Sequence, residues 1–319
     1  MRFGIAPAQW DGLFDEMIAE SLLAEKIGFD SVWVLEHHFT KSGYFPSPLL
    51  VLASVASRTK RVRLGTAVVL APFRNPVKLA EDSAMVQVIS KGRLVLGVGT
   101  GYRMEEFKAF GVDRKERLGA LRSAIKRCRE LWSGQDALGR DVPDPLRLSP
   151  GIDEIGMPPI WVGGYGESSL SVAAELGDAW FPGPVATLGT LQQSLLKYRE
   201  LLKARGKDWA KQEHPLMRDV YVAPTTQQAE EVYSGPIVRM YEKDYGAWGH
   251  RLVEGSSLRL DHLRDRCIVG SPDDVVEQVN QYRKLLGIDL LICRMRLPGV
   301  RAEQAAASMK LMATKVAPS

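Results

Sequence analysis

A single (β/α)8 barrel of TIM type, carrying loop insertions, is the fold class this sequence predicts. Apolar runs of strand type alternate with helical patterns from end to end, the signature of parallel strands connected by helices. About eight such runs occur, near residues 2–7, 30–36, 63–70, 93–99, 159–164, 178–183, 217–224 and 289–296, the number a closed barrel needs. The length of 319 residues exceeds the roughly 250 of a minimal barrel and leaves room for insertions. One domain over residues 1–319 is therefore expected.

Taken in order, the first helix should turn Phe14, Met17, Ile18 and Leu22 toward the core and end at Gly28, where a left-handed cap is cheap. The next strand stops abruptly at His37 and His38, inside WVLEHHF (33–39). Histidine trades protons near neutrality, with an unperturbed pKa of roughly 6.5, and buried α/β strands aim their C-terminal ends at the ligand face. Both imidazoles are thus candidate catalytic groups, ahead of the plainer reading as hydrogen-bonded loop residues. The third strand exit, GTAVVLAPFRNP (65–76), is unusually apolar: it could wall a flat ring away from water, while Val69 and Leu70 read as core. A helix then opens at Pro76, repeats Val77, Ala80, Ala84 and Val88 at helical spacing, and closes at Gly92.

GVGTGY (97–102) is a glycine-rich strand exit that lets a ring or phosphate approach the backbone closely. It lacks the GxGxxG spacing with its following helix and acidic residue, so a dinucleotide-binding fold is excluded. Residues 133–157 form a Pro/Gly/Asp-rich insertion. GGYGESSLSVAAELGD (163–178) joins a strand end to a helix start through Gly163, Gly164 and Gly166, followed by Glu167, Ser168, Ser169 and Ser171. Free N–H groups at the positive end of a helix, with hydroxyls nearby, make a phosphate cradle; an ordinary N-cap with turn glycines is the equal alternative.

A second insertion, 230–266, holds Tyr233, Tyr241, Tyr245 and Trp248 and is expected to act as a mobile lid. Near the C-terminus Ser271 should cap a helix that has Pro272 at its first position and Asp273 and Asp274 at the favourable dipole end. Arg294 and Arg296 sit two apart on the last strand, and both a place at the ligand mouth and simple solvent exposure stay open. Trp10, Phe73 and Trp180 are expected to line an apolar or aromatic substrate site.

Composition narrows the class. Apolar residues make up 45% and charged residues 25%, enough for a large core and a wetted surface. The 42 basic residues against 38 acidic ones are scattered, so nucleic acid is not an expected partner. Cys128, Cys267 and Cys293 are far apart, with no CxxC and no histidine at ligand spacing, so reduced thiols and no metal are expected. The start MRFGIAPAQW lacks a secretion pattern and no window reaches the roughly 20 apolar residues of a membrane span, so a cytoplasmic enzyme is expected.

Taken together, WVLEHHFTKSG (33–43), RLGTAVVLAPFRNPVKLAED (63–82), SKGRLVLGVGTGY (90–102), PPIWVGGYGESSLSVAAELGDAW (158–180) and IVGSPDDV (268–275) resemble the bacterial luciferase-like monooxygenase family over nearly the whole chain. The resemblance implies a barrel of bacterial-luciferase type with reduced flavin at the C-terminal face of its strands. It implies His37 as catalytic base with His38 beside it, and a flavin phosphate held by Glu167, Ser168 and Ser171 next to the backbone of Gly163, Gly164, Tyr165 and Gly166. It further implies a non-prolyl cis peptide at Ala67–Val68, at the strand exit that faces the flavin. One departure stands out: Gly99 and Thr100 occupy the places of a reactive cysteine and a phosphate-binding arginine, so Arg103 or another basic group has to substitute, and light emission is not implied.

The function implied is a two-component monooxygenase: a separate flavin reductase supplies reduced FMN (FMNH2), and O2 oxidises a small organic substrate. Two alternatives accompany it. One is an oxidoreductase using the deazaflavin coenzyme; the other is a non-catalytic flavin-binding partner subunit, against which the retained histidines argue. The resemblance also implies a homodimer formed through helices next to the early strands.

Overall fold

The computed structural model describes residues 1–10, 12–250 and 259–318. Its strands are β1 (Arg2–Ile5), β2 (Ser31–Val34), β3 (Arg63–Thr66), β4 (Val69–Leu70), β5 (Leu94–Gly99), β6 (Ile160–Gly163), β7 (Ala179–Phe181), β8 (Pro215–Val222), β9 (Cys267–Gly270) and β10 (Leu290–Arg294). They form one curled, parallel sheet in the order β7-β6-β5-β3-β2-β1-β10-β8-β9, with β4 paired to β5 off that path. A backbone hydrogen bond from Met217 N–H to Pro182 O, at 3.2 Å, connects β8 with the residue after β7.

The helices are α1 (Phe14–Ile27), α2 (Pro48–Ala56), α3 (Pro76–Ser90), α4 (Met104–Phe110), α5 (Arg117–Trp132), α6 (Glu167–Leu176), α7 (Leu188–Lys203), α8 (Thr226–Arg239), α9 (Leu260–Leu263), α10 (Pro272–Leu286) and α11 (Ala302–Leu311). None among the described residues is long and apolar enough to cross a membrane. The strands are buried almost throughout because helices cover the sheet's outer face, which is why they read as continuous apolar runs. On the inner face Trp33 stacks on Trp161 with ring centroids 4.9 Å apart, and Phe181, Met217 and Ile292 fill the space around them. The sheet's interior is thus packed, and a ligand has to sit above it at the strand ends.

Several expectations change. The run 63–70 divides into β3 and β4, separated by a cis Ala67–Val68 bond at the position the family resemblance implied. Strand β9 was not expected, because CIVG is too short for a periodic signal and merges into the capped helix behind it; it extends the sheet beside Asp219–Val222 of β8.

In α1, Met17 is buried and Ile18 packs on the core as expected, but Phe14 and Leu22 are exposed and Glu20, Ser21 and Ala24 are buried instead. The helix turns Glu20 inward because its carboxylate accepts from Ala8 N–H at 2.8 Å and pairs with Arg296 at 2.7 Å. Arg296 and Arg294 are therefore neither at a ligand mouth nor in solvent: Arg294 is buried against Asp219 at 2.6 Å.

The 133–157 insertion is irregular, as expected, and hangs on the Asp136 carboxylate, which accepts from the N–H groups of Leu138, Arg140 and Leu146. The 230–266 segment begins inside α8 and continues as wider helical turns over Met240–Gly246. Tyr233, Tyr241 and Tyr245 are buried core there, so the first half of the expected lid is part of the packed body. Residues 251–258 of that segment lie outside the described residues.

Candidate active site

Strand β2 ends on three residues with different tasks. Glu36 is buried; its carboxylate accepts from Leu70 N–H at 3.3 Å and pairs with Arg74 at 2.9 Å. The same carboxylate lies 2.8 Å from His38 Nε2. The His38 ring packs edge-on against Phe110 at 4.8 Å and the His38 backbone N–H donates to Glu106 at 3.0 Å, so this residue is tied into the surrounding structure. Chain alternation turns His37 the other way, into a cavity of about 460 Å3. There its ring meets Trp248 at 4.8 Å and Tyr44 at 5.0 Å and makes no hydrogen bond with a described residue. Enclosure, reinforced by the positive charges of Arg103 and Arg294, pushes its pKa down to about 3. His37 is a neutral imidazole at ordinary pH.

The cavity is lined by C-terminal strand ends. Ala67 and Val68 follow β3, Gly99 and Thr100 close β5, and the turn Gly163 to Ser168 leads from β6 into α6. Its volume lies within the range of about 300–1,000 Å3 usual for cofactor and ligand pockets. Two glycines are needed for its shape. A Cβ at Gly99 would lie 2.6 Å from Val68 Cγ2, and Gly164 has φ +126° with a Cβ position 2.7 Å from the Ser169 side chain. Helix α6 starts at Gly166 without a side-chain cap, so its first N–H groups face the cavity end where Glu167, Ser168 and Ser169 stand.

Of the residues singled out in the sequence, His37, Ala67, Val68, Gly99, Thr100, Gly163, Gly164, Tyr165, Gly166, Glu167 and Ser168 share this one cavity. His38 and Ser171 do not line it; the Ser171 hydroxyl accepts instead from Arg205 at 3.0 Å. Arg103 is also elsewhere, paired with Glu106 at 3.1 Å. Trp10, Phe73 and Trp180 are packing residues: Trp10 lies against Tyr44, Phe73 stacks on Phe110, and Trp180 Nε1 donates to Gly164 O at 2.7 Å.

Several lining residues were not foreseen. Arg114 and Arg117, at the approach to and start of α5, stand at the same cavity as the α6 start; their signal was the RKER run at 114–117, which lies far from any strand end. Tyr102 also lines the cavity, and its buried hydroxyl has no hydrogen-bond partner among the described residues. Tyr245 and His250 bring the second insertion to the site.

A parallel α/β sheet whose strand ends converge on an imidazole, glycine turns, an open helix start and paired arginines defines an enzyme that works on a bound organic ligand. The chain belongs to the luciferase-like monooxygenase family, whose model matches residues 4–289. Members are flavin-dependent monooxygenases and oxidoreductases, and this chain is an enzyme of that class. It is 27% identical, over 96% of this chain and 90% of the relative, to the oxygenase component of a flavin-dependent trigonelline monooxygenase from Acinetobacter baylyi. It is 28% identical, over 84% of each chain, to an F420-dependent glucose-6-phosphate dehydrogenase from Amycolatopsis mediterranei. Among solved structures, monooxygenase RslO1 from Streptomyces bottropensis superimposes with a TM-score of 0.84 at 27% identity, covering 100% of this chain and 99% of that one.

Proposed function

We propose that the protein is the oxygenase component of a two-component FMN monooxygenase, built as a closed (β/α)8 barrel. The observation that carries this reading is the single cavity that joins His37, the Val68 and Gly99 backbone edge, and the α6 start beside two arginines. The residues fit a flavin. Gly99 leaves the flat approach a ring needs, the Tyr102 hydroxyl lacks a partner among the described residues, and Arg114 with Arg117 replaces the missing strand-end arginine at the phosphate position.

Bound reduced FMN supplies the two electrons that let O2 place one oxygen atom in the substrate and release the other as water. The chain's own residues then position and shield. Val68 and Leu70 present apolar surface that excludes water, and backbone N–H groups of 167–169 with the arginines neutralise the phosphate. His37, held neutral, keeps a nitrogen lone pair that orients the reacting group and takes its proton in passing rather than storing one. Tyr245, fixed in the packed body, and His250 wall the site on the side of the second insertion. A separate flavin reductase is the partner, and the working assembly is a homodimer through α2 and α3.

The test is a pair of titrations and one variant. Reduced FMN should bind more tightly than the deazaflavin coenzyme, and His37→Ala should lower turnover about a hundredfold with FMN affinity unchanged. Tighter deazaflavin binding would overturn the cofactor, and undiminished turnover in the variant would remove His37 from the chemistry.

A further inference from the structure

Beyond the Trp248 indole lies a second cavity of about 480 Å3. Trp248 lines it, while His37, whose ring centroid is 4.8 Å from that of Trp248, lines the first. One aromatic ring therefore separates this space from the reacting end of the flavin cavity.

The second cavity is basic. Lys41, Arg239 and Lys243 line it, and none of the three makes an ion pair or hydrogen bond with a described residue. Arg103, only 5% exposed, also reaches it; its guanidinium lies 4.8 Å from the Trp248 ring and its Nε has no partner among the described residues. The buried Ser42 hydroxyl on the same wall is likewise without a partner among the described residues. Glu106 pairs with Arg103, and Glu105 and Asp244 face the other three cations; burial raises the Asp244 pKa, which weakens its countercharge. Three exposed cations with no partner among the described residues thus surround two buried donors in the same position, Arg103 Nε and Ser42 Oγ, and because an unmatched buried donor is costly the arrangement calls for an anion. That anion is not the flavin phosphate, which has its own arginines at the α6 end of the first cavity. Phe39, Trp248 and Met240 add apolar and aromatic wall.

Resting on the monooxygenase reading, we propose that this cavity receives the carboxylate of the substrate, so that the enzyme acts on small aromatic or apolar organic acids whose uncharged part reaches past Trp248 toward His37. Lys41, Arg239 and Lys243 select the charge at the rim, and Arg103 and Ser42 complete its hydrogen bonds inside.

Indole fluorescence tests this with benzoate as probe, in the full protein with and without saturating FMN. Benzoate should give a saturable change that is lost in Trp248→Phe. The neutral isostere benzamide and inorganic phosphate should each bind at least about tenfold more weakly, and the exposed-residue variants Arg239→Gln and Lys243→Gln should each weaken benzoate about tenfold at unchanged FMN affinity. Equal binding of benzamide, equal binding of phosphate, displacement of FMN by benzoate, or unchanged affinity in both variants would each overturn the proposal. Charge-dependent benzoate binding in a protein that refuses FMN would uphold the acid site and defeat the flavin reading alone.

Discussion

Two adjacent histidines beyond the end of strand β2 meet different surroundings. His38 is engaged by Glu36, whereas His37 stands among aromatic rings with Arg103 and Arg294 in the vicinity, and its pKa falls to about 3. The sign of the consequence is fixed. The unfolded chain would protonate His37 near 6.5 and the folded one near 3, so the group contributes stability above 6.5 that is lost as pH falls through this window. A nitrogen-15 NMR titration should show a His37 ring that stays neutral from pH 8 to about 4.5, and His37→Asn should flatten the acid branch of the stability curve. An inflection near 6.5 assigned to His37 would contradict the enclosure on which its orienting role depends.

Elements explain why the proposed phosphate end of the site holds charge although the strand-end arginine is missing. The α6 start supplies N–H groups and the α5 start supplies Arg114 and Arg117, two helices converging on one cavity end. Arg114→Gln should then weaken FMN binding about tenfold and leave riboflavin, which has no phosphate, unaffected in a fluorescence titration. Equal loss for both ligands would mean that the arginine shapes the cavity rather than reading the phosphate.

This end was only half legible in the sequence. Gly163 to Ser168 announce themselves as a strand exit, but which helix carries the basic partners is decided by packing of α5 beside α6, which no local pattern records. Ser171 shows the same limit from the other side: its spacing after Ser168 matched a family motif, yet Arg205 of the chain after α7 takes its hydroxyl.

At the scale of the whole molecule, strands were legible because burial on both faces leaves continuous apolar runs, and α3 was legible because the side chain of Asn75, ahead of Pro76, caps it and Ala80 and Ala84 are fully buried. What stayed hidden depended on distant partners. The buried Glu20 of α1 answers Arg296 from the far end of the chain, and it rotates the helix so that Phe14 and Leu22 face outward. The same outward count bears on assembly. On α2 Leu50 is 74% exposed, and on α3, which packs against α2, Met85 and Ile89 are exposed as well. An apolar strip on helices next to the early strands is better suited to a second copy than to water. Sedimentation should therefore find a particle of twice the 35.3 kDa chain mass, and Leu50→Arg should shift it to the single-chain mass without loss of helical signal. A wild-type protein that sediments as one chain at micromolar concentration would remove the dimer, and would leave the cavity, which is built wholly from one chain, unaffected.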